Sequence, residues 1–135
     1  MSESQQLKNL ALVEKVSKLW EIPNSAEAML PYFTDDCAVR LMESLPFAIG
    51  HDALVKQVRT LIPLGIEYMR IKVLSMQATG PIVVTHRIDT LVVPGKPDVD
   101  FEMYGVFHVV NGKIKEWTDF MLTPYTVAED GTVRV

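Results

Sequence analysis

Apolar residues recur at Leu7, Leu10, Val13, Val16, Leu19 and Trp20, a spacing that lays them along one side of a helix from Glu3 to Trp20. Pro23-Asn24-Ser25 ends that element and offers Ser25 as the cap of a short second helix reaching Phe33. Pro31 falls late in it and should distort its last turn. Thr34-Asp35-Asp36 reads as a turn, and Cys37 to Met42 (CAVRLM) as a short strand. After an irregular ESLPFAI stretch, Gly50-His51-Asp52 opens a third helix. Its apolar stripe is Ala53, Leu54, Val58, Leu61 and Ile62, and Pro63 stops it.

The second half changes to strand periodicity. Glu67 to Gln77, Pro81 to Val93, Val99 to Val110 and Lys113 to Leu122 are runs rich in Val, Ile, Phe, Tyr and Thr. Ala78-Thr79-Gly80, Pro94-Gly95-Lys96-Pro97 and Asn111-Gly112 separate them. Asn111-Gly112 is a strong hairpin signal, because a type I′ turn needs positive φ at both central residues. The order is therefore ααβαββββ, an α+β arrangement with three N-terminal helices packed on a curved antiparallel sheet. Residues 1–135 read as a single domain, with the polar stretch 128–135 expected as a loose tail.

Both faces of the second long strand are apolar, Ile82/Val84/Ile88/Val92 on one and Val83/Leu91/Val93 on the other. A strand covered by helices on one side should alternate more cleanly. The second face is thus expected to pack against another subunit, giving a homodimer through the sheet.

Composition narrows the function classes. Thirteen Lys and Arg against seventeen Asp and Glu give a net charge of −4 without a basic cluster, so neither nucleic acid nor an anionic membrane surface has an electrostatic footprint. No stretch has the length of a membrane span, and MSESQQLKNL lacks the basic and apolar regions of a secretory signal. The single cysteine, Cys37, suits a reducing compartment; we read it as a buried small hydrophobe and expect a cytoplasmic protein.

Candidate chemistry lies on the strands. Period two puts Val83, Thr85, Arg87, Asp89 and Leu91 on one face, and Lys115, Trp117, Asp119 and Met121 on another. If these faces are concave, Arg87, Asp89 and Asp119 converge in an apolar pocket. One buried cation with two anions leaves an uncompensated charge, which one proton would cancel. The cluster would then hold a base and an acid together.

Among the other polar residues, His51, His86 and His108 are too scattered for a metal site by spacing. Tyr32, Tyr68 and Tyr104 can each place a hydroxyl in the pocket, although a core aromatic with a satisfied hydroxyl is the commoner outcome. Methionines 29, 42, 69, 76, 103 and 121 read as pocket lining and core. Arg40, on the strand entering the sheet, is either a second cation for a phenolate or carboxylate or a solvated strand residue.

HRIDTLVV, a hairpin, and then GVFHVVNGKIKEWTDF resemble the limonene-1,2-epoxide hydrolase family, within the group that shares the nuclear-transport-factor-2-like cone. Gly50-His51-Asp52-Ala53 resembles that family's third-helix start. The resemblance implies that Asp89 is the acid protonating an epoxide oxygen and Asp119 the base activating water. It implies that Arg87 bridges the two carboxyls, with neither metal nor cofactor required. The family also holds the water with a Tyr and an Asn spaced Y-x-N on the first strand. Counting back from Gly50 places Arg40 and Met42 there, and a one-residue shift brings in Leu41 and Glu43. Arg cannot accept a hydrogen bond and Met cannot donate one.

The expected substrate is thus a hydrophobic small molecule. Arg87, Asp89 and Asp119 are the catalytic candidates, and Arg40, Met42, Tyr32, Tyr104 and Trp117 the substrate-binding ones. Epoxide hydrolysis to a diol leads. A lyase or isomerase using the same cluster without water, such as a formaldehyde-releasing carbon–carbon lyase or a ketosteroid-isomerase-like enzyme, is the alternative. A non-catalytic ligand-binding module is the third reading.

Overall fold

The four β-rich runs form β3 (Tyr68–Thr79), β4 (Ile82–Val92), β5 (Val99–Val110) and β6 (Lys113–Met121), joined as an antiparallel meander. Asn111 and Gly112 take φ of 50° and 77° at the β5–β6 turn, the positive values that a type I′ turn requires. The computed structural model describes residues 1–61, 68–130 and 133–134. Ile62, the helix stop at Pro63, the strand start at Glu67 and the side chains of Leu61 and Tyr68 lie outside what it describes.

Two expectations about the first half change. The second helix, α2, spans Ser25–Met29, and Asn24 rather than Ser25 is its cap, in the left-handed region at φ 58°. Pro31 does distort its end, into a 3-10 turn over Leu30–Tyr32. The strand β1 then starts at Phe33 and runs to Arg40, so Thr34-Asp35-Asp36 is strand, not turn. From Phe33 to Ala38 β1 advances five residues while its partner β6 advances two, from Ile114 to Glu116. Such a bulge lets polar residues sit outside the regular ladder. Asp36 meets Lys115 there at 3.0 Å, and that hydrogen bond holds its carboxyl below its ordinary value. A second irregularity, between β5 and β6 at His108/Val109, turns Lys115 out to solvent, away from the face it was expected to share with Trp117.

The sheet is mixed rather than wholly antiparallel. A two-residue strand, β2 (Ala48–Ile49), pairs with β1, and β1 pairs in parallel with β6, giving the order β2-β1-β6-β5-β4-β3. The alternation within β1 encodes its faces but not which neighbour it joins. A separate two-stranded sheet pairs Thr126–Val127 (β7) antiparallel with Val133–Arg134 (β8).

Helices α1 (Glu3–Leu19) and α3 (His51–Leu61) pack with α2 on the inner face of this curved sheet. Val13, Val16 and Trp20 of α1 and Leu54 and Val58 of α3 meet Cys37, Val39, Ile71, Val83, Phe107 and Trp117. The buried stripe of α1 includes Asn9 and excludes Leu7, which stays 61% exposed. Among the described residues no helix is long and apolar enough to cross a membrane.

Candidate active site

Alternation along β4 is clean where it matters. Val83, Thr85, Arg87 and Asp89 are buried, whereas Ile82, Val84, His86 and Ile88 are half-buried or exposed on the outer face. The register sets Thr85 opposite Gly105 and Gly105 opposite Asp119. Arg87 and Asp89 lie one and two inward positions further along, opposite Met103 and Phe101. Asp119 therefore lies across β5 from Arg87 and one inward position along, and the long Arg87 side chain reaches it over Gly105.

All five N–H groups of the Arg87 guanidinium are used. Its Nε and Nη2 donate to the two oxygens of Asp89 at 3.0 and 2.9 Å. Nη1 and Nη2 donate to the two oxygens of Asp119 at 3.2 and 2.8 Å. The remaining Nη1 proton goes to Thr85 Oγ1 at 3.0 Å. Trp117 Nε1 adds a donor to Asp119 Oδ1 at 2.6 Å. Arg87, Asp89 and Asp119 are only 3, 4 and 4% exposed, so the polar group is closed off inside an apolar interior.

Low dielectric shapes its charge. Burial pushes the Asp119 carboxyl above its ordinary value and nearby Asp89 adds to this, against the opposing pull of Arg87 and the indole. Burial also opposes the Arg87 charge, but the two carboxylates overcome it and lock the guanidinium protonated. With the cation fixed, a single proton on the carboxyl pair makes the cluster neutral. That proton belongs to the pair as a coupled unit.

Among the described residues, only Trp117 of the other predicted side chains reaches this cluster. Arg40 pairs in register with Thr118, which belongs to the outer face, and its Nε donates to Thr118 Oγ1 at 3.1 Å. Its guanidinium lies 4.4 Å over the Phe47 ring. Tyr104 is also on the outer face, stacked on His86 at 4.5 Å, and His86 bonds Glu102 at 2.8 Å. Tyr32 packs at the core margin beneath Lys15. His51 is half-buried and its Nε2 meets the carbonyls of Phe33 and Thr34 at 3.2 and 3.1 Å. Trp117 is buried in the main core, stacked on Phe107 at 4.8 Å, and touches the cluster only through its N–H. Cys37 is fully buried, and burial pushes its thiol up. Among the described residues no group of His, Cys, Asp or Glu could hold a metal ion.

Met42 joins Met103 and Met121 in a second apolar cluster, flanked by Leu45, Phe101 and Tyr125. This cluster borders the cluster rungs, since Met103 is the cross-strand partner of Arg87 and Phe101 that of Asp89. Over it, Tyr125 Oη donates to Glu43 Oε1 at 2.7 Å and lies 2.9 Å from Ser44 Oγ, while Glu43 Oε2 accepts the Met121 N–H at 3.3 Å. No sequence signal connects residues 43 and 125.

Gly105 also belongs to the site. A Cβ there would fall 2.5 Å from Arg87 Nη1 and 2.8 Å from both Asp119 Oδ1 and Thr85 Oγ1. The guanidinium therefore occupies the space that a side chain would fill. The available signal was a lone glycine inside an otherwise apolar strand run.

A curved sheet with a buried, arginine-bridged carboxyl pair on its helix-covered face is the centre of this nuclear-transport-factor-2-like fold. The family model of the limonene-1,2-epoxide hydrolase catalytic domain matches residues 25–128, and the chain belongs to that family. An LEH-like epoxide hydrolase from M. tuberculosis superposes with a TM-score of 0.70 at 22% identity, over 87% of this chain and 84% of that one. A candidate SnoaL-like polyketide cyclase from Jannaschia sp. CCS1 gives 0.76 at 16%, over 90% of both chains. An NTF2-like protein of unknown function from Burkholderia pseudomallei K96243 gives 0.71 at 16%, over 90% and 92%. At these identities the structural likenesses establish the fold alone.

Proposed function

We propose that the protein is a cofactor-independent epoxide hydrolase acting on a hydrophobic small molecule. The carrying observation is the Arg87 guanidinium that spends four of its five N–H groups on two buried carboxyls. In this reading Asp89 holds the shared proton and gives it to the epoxide oxygen as the carbon–oxygen bond breaks. Asp119 takes a proton from water as the water oxygen attacks the ring carbon. One water and one epoxide give one diol, and the proton gained by Asp119 returns to Asp89 to reset the pair. Arg87 keeps its proton throughout.

Water-free use of the same cluster, as an isomerase or lyase, is the second reading. It is favoured by β1, where Cys37, Val39 and the following Leu41 all pack in the apolar core. Neither a hydroxyl nor an amide is offered to water from those positions. Turnover of terpene and styrene-type epoxides in ¹⁸O-labelled water separates the readings. Hydrolysis puts one label into a diol, whereas an unlabelled isomer would establish the water-free route. A panel giving neither diol nor isomer would remove the epoxide proposal.

The proposed assembly is a homodimer through the outer sheet face. Val84, Tyr104 and Phe120 are exposed there, beside a shallow groove of about 230 Å³ lined by Ile82, Val106 and His108. Gel filtration at micromolar concentration should give a dimer that Phe120→Glu splits, because a buried unpaired carboxylate is costly. A monomeric parent would end this proposal. The proposed setting is the cytoplasm, where the single buried thiol of Cys37 would stay reduced.

A further inference from the structure

The Arg87 guanidinium treats its two carboxyls almost alike, giving each of them two N–H bonds. Arginine alone therefore does not decide which one keeps the shared proton. Trp117 breaks the symmetry. Among the described residues its indole is the one side-chain donor, other than Arg87, that reaches either carboxyl. It reaches only Asp119.

We propose that Trp117 is the positioning residue that weights the pair, its N–H favouring the ionised form of Asp119 against burial and so drawing the shared proton towards Asp89. This rests on the acid–base reading above and adds the cause of its asymmetry.

Distances support the assignment. At Asp119 Oδ1 the Arg87 contact is the longest of the four guanidinium–carboxyl bonds, 3.2 Å, because Nη1 is shared with Thr85. The indole, at 2.6 Å, is the shorter donor to that oxygen. An N–H pointed at a carboxylate favours its charged form. Burial acts in the opposite sense and leaves Asp119 above its ordinary value even with the indole in place, so losing the indole would draw the shared proton further towards it.

Packing fixes the aim. The Trp117 ring stacks on Phe107 at 4.8 Å, lies tilted against Phe33 at 6.1 Å and meets Trp20 edge-on at 6.1 Å. Enclosed on these sides and 2% exposed, the ring has no room to turn its N–H elsewhere. Gly105 and Thr85 complete the cradle. The first leaves room for Nη1, and the second engages the Nη1 proton that the carboxyls do not use.

Trp117→Phe removes the donor and keeps an aromatic ring in the stack. Trp20→Phe is the control, since it disturbs the same stack without touching a carboxyl. A base that must be ionised loses activity as pH falls through its pKa, and losing a donor raises that pKa. Trp117→Phe should therefore move the acid limb of kcat/KM upward by about one pH unit, which is a tenfold loss below the limb. The loss should shrink as pH rises, and Trp20→Phe should lower Tm without moving the limb. Carboxyl ¹³C titration of the free protein reads the same shift without substrate, moving the first ionisation of the pair upward. Titration curves of Trp117→Phe and parent that superimpose would overturn the assignment. A shifted titration with no epoxide turnover would instead retain the positioning role and discard the proposed reaction.

Discussion

Replacing Arg87 with methionine is expected to remove on the order of 3–5 kcal/mol of stability at pH 8, because it strands two buried carboxyls without their cation. That is a large part of the roughly 5–15 kcal/mol that holds a domain folded, and the melting temperature should fall by about 10 °C or more. Methionine keeps much of the volume, so the loss is electrostatic rather than a cavity effect. The pH dependence identifies the cause. Asp119 already sits above its ordinary value of 3.8 in the folded protein, so the folded state binds that proton more tightly than the unfolded state. Stability consequently falls as pH rises through the raised value and recovers as pH falls towards 3.8. Without Arg87 the pull that lowers Asp119 is gone, and the window widens upward. Melts at pH 5 and pH 8 should differ more for the variant than for the parent, with the acidic sample the more stable. A variant that melts within a few degrees of the parent at pH 8 would show that the guanidinium does not neutralise the pair.

Local chemistry made the R-x-D and W-x-D faces legible. Period two in a strand puts Arg87 with Asp89, and Trp117 with Asp119, whatever else the fold does. The turn at Asn111-Gly112 was legible for the same reason, since its backbone requirement is met by those two residues alone. What failed was long-range. Arg40 was matched to a pocket position by counting along the chain, but its face is set by its pairing with Thr118, and pairing is not written in β1. Tyr104 has the parity of His86 and Phe120, so its exclusion from the site followed once β5 was placed between β4 and β6. The strand at Thr34–Asp36 was hidden because a bulge tolerates polar residues that a regular ladder discourages.

Trp117 illustrates a different limit. Sharing a face with Asp119 made it a candidate to touch substrate, yet the ring is consumed by the core and only its N–H reaches the cluster. Gly105 is the converse, a residue whose role is the volume it leaves empty. Both contributions depend on ångström-scale placement across three strands.

Asp119→Asn and Asp89→Asn should each lower kcat by about 10²–10⁴-fold, the range that a positioned acid or base supplies, while leaving the protein folded. Charge arithmetic separates the two effects. Either substitution removes one carboxylate from a cluster of one cation and two carboxyls, so the remaining Arg87–carboxylate pair is neutral without any shared proton. The cost is geometric. At position 119 the new amide must turn its NH₂ towards either Trp117 Nε1 or Arg87, both of which are donors. That mismatch should cost roughly 1–3 kcal/mol, less than the loss of Arg87. The pH dependence of stability should also flatten in Asp119→Asn, because the coupled carboxyl pair that shares a proton in the folded state is gone. The double variant Asp89→Asn/Asp119→Asn leaves an unpaired buried guanidinium and should be the least stable of the three. Thermal melts and single-turnover rates on the same samples test this. Inactive but folded single variants would identify the pair as the chemical machinery. Folded single variants with full turnover would make the cluster a structural brace, and the search for the reacting groups would move to the Glu43–Tyr125 end of the sheet.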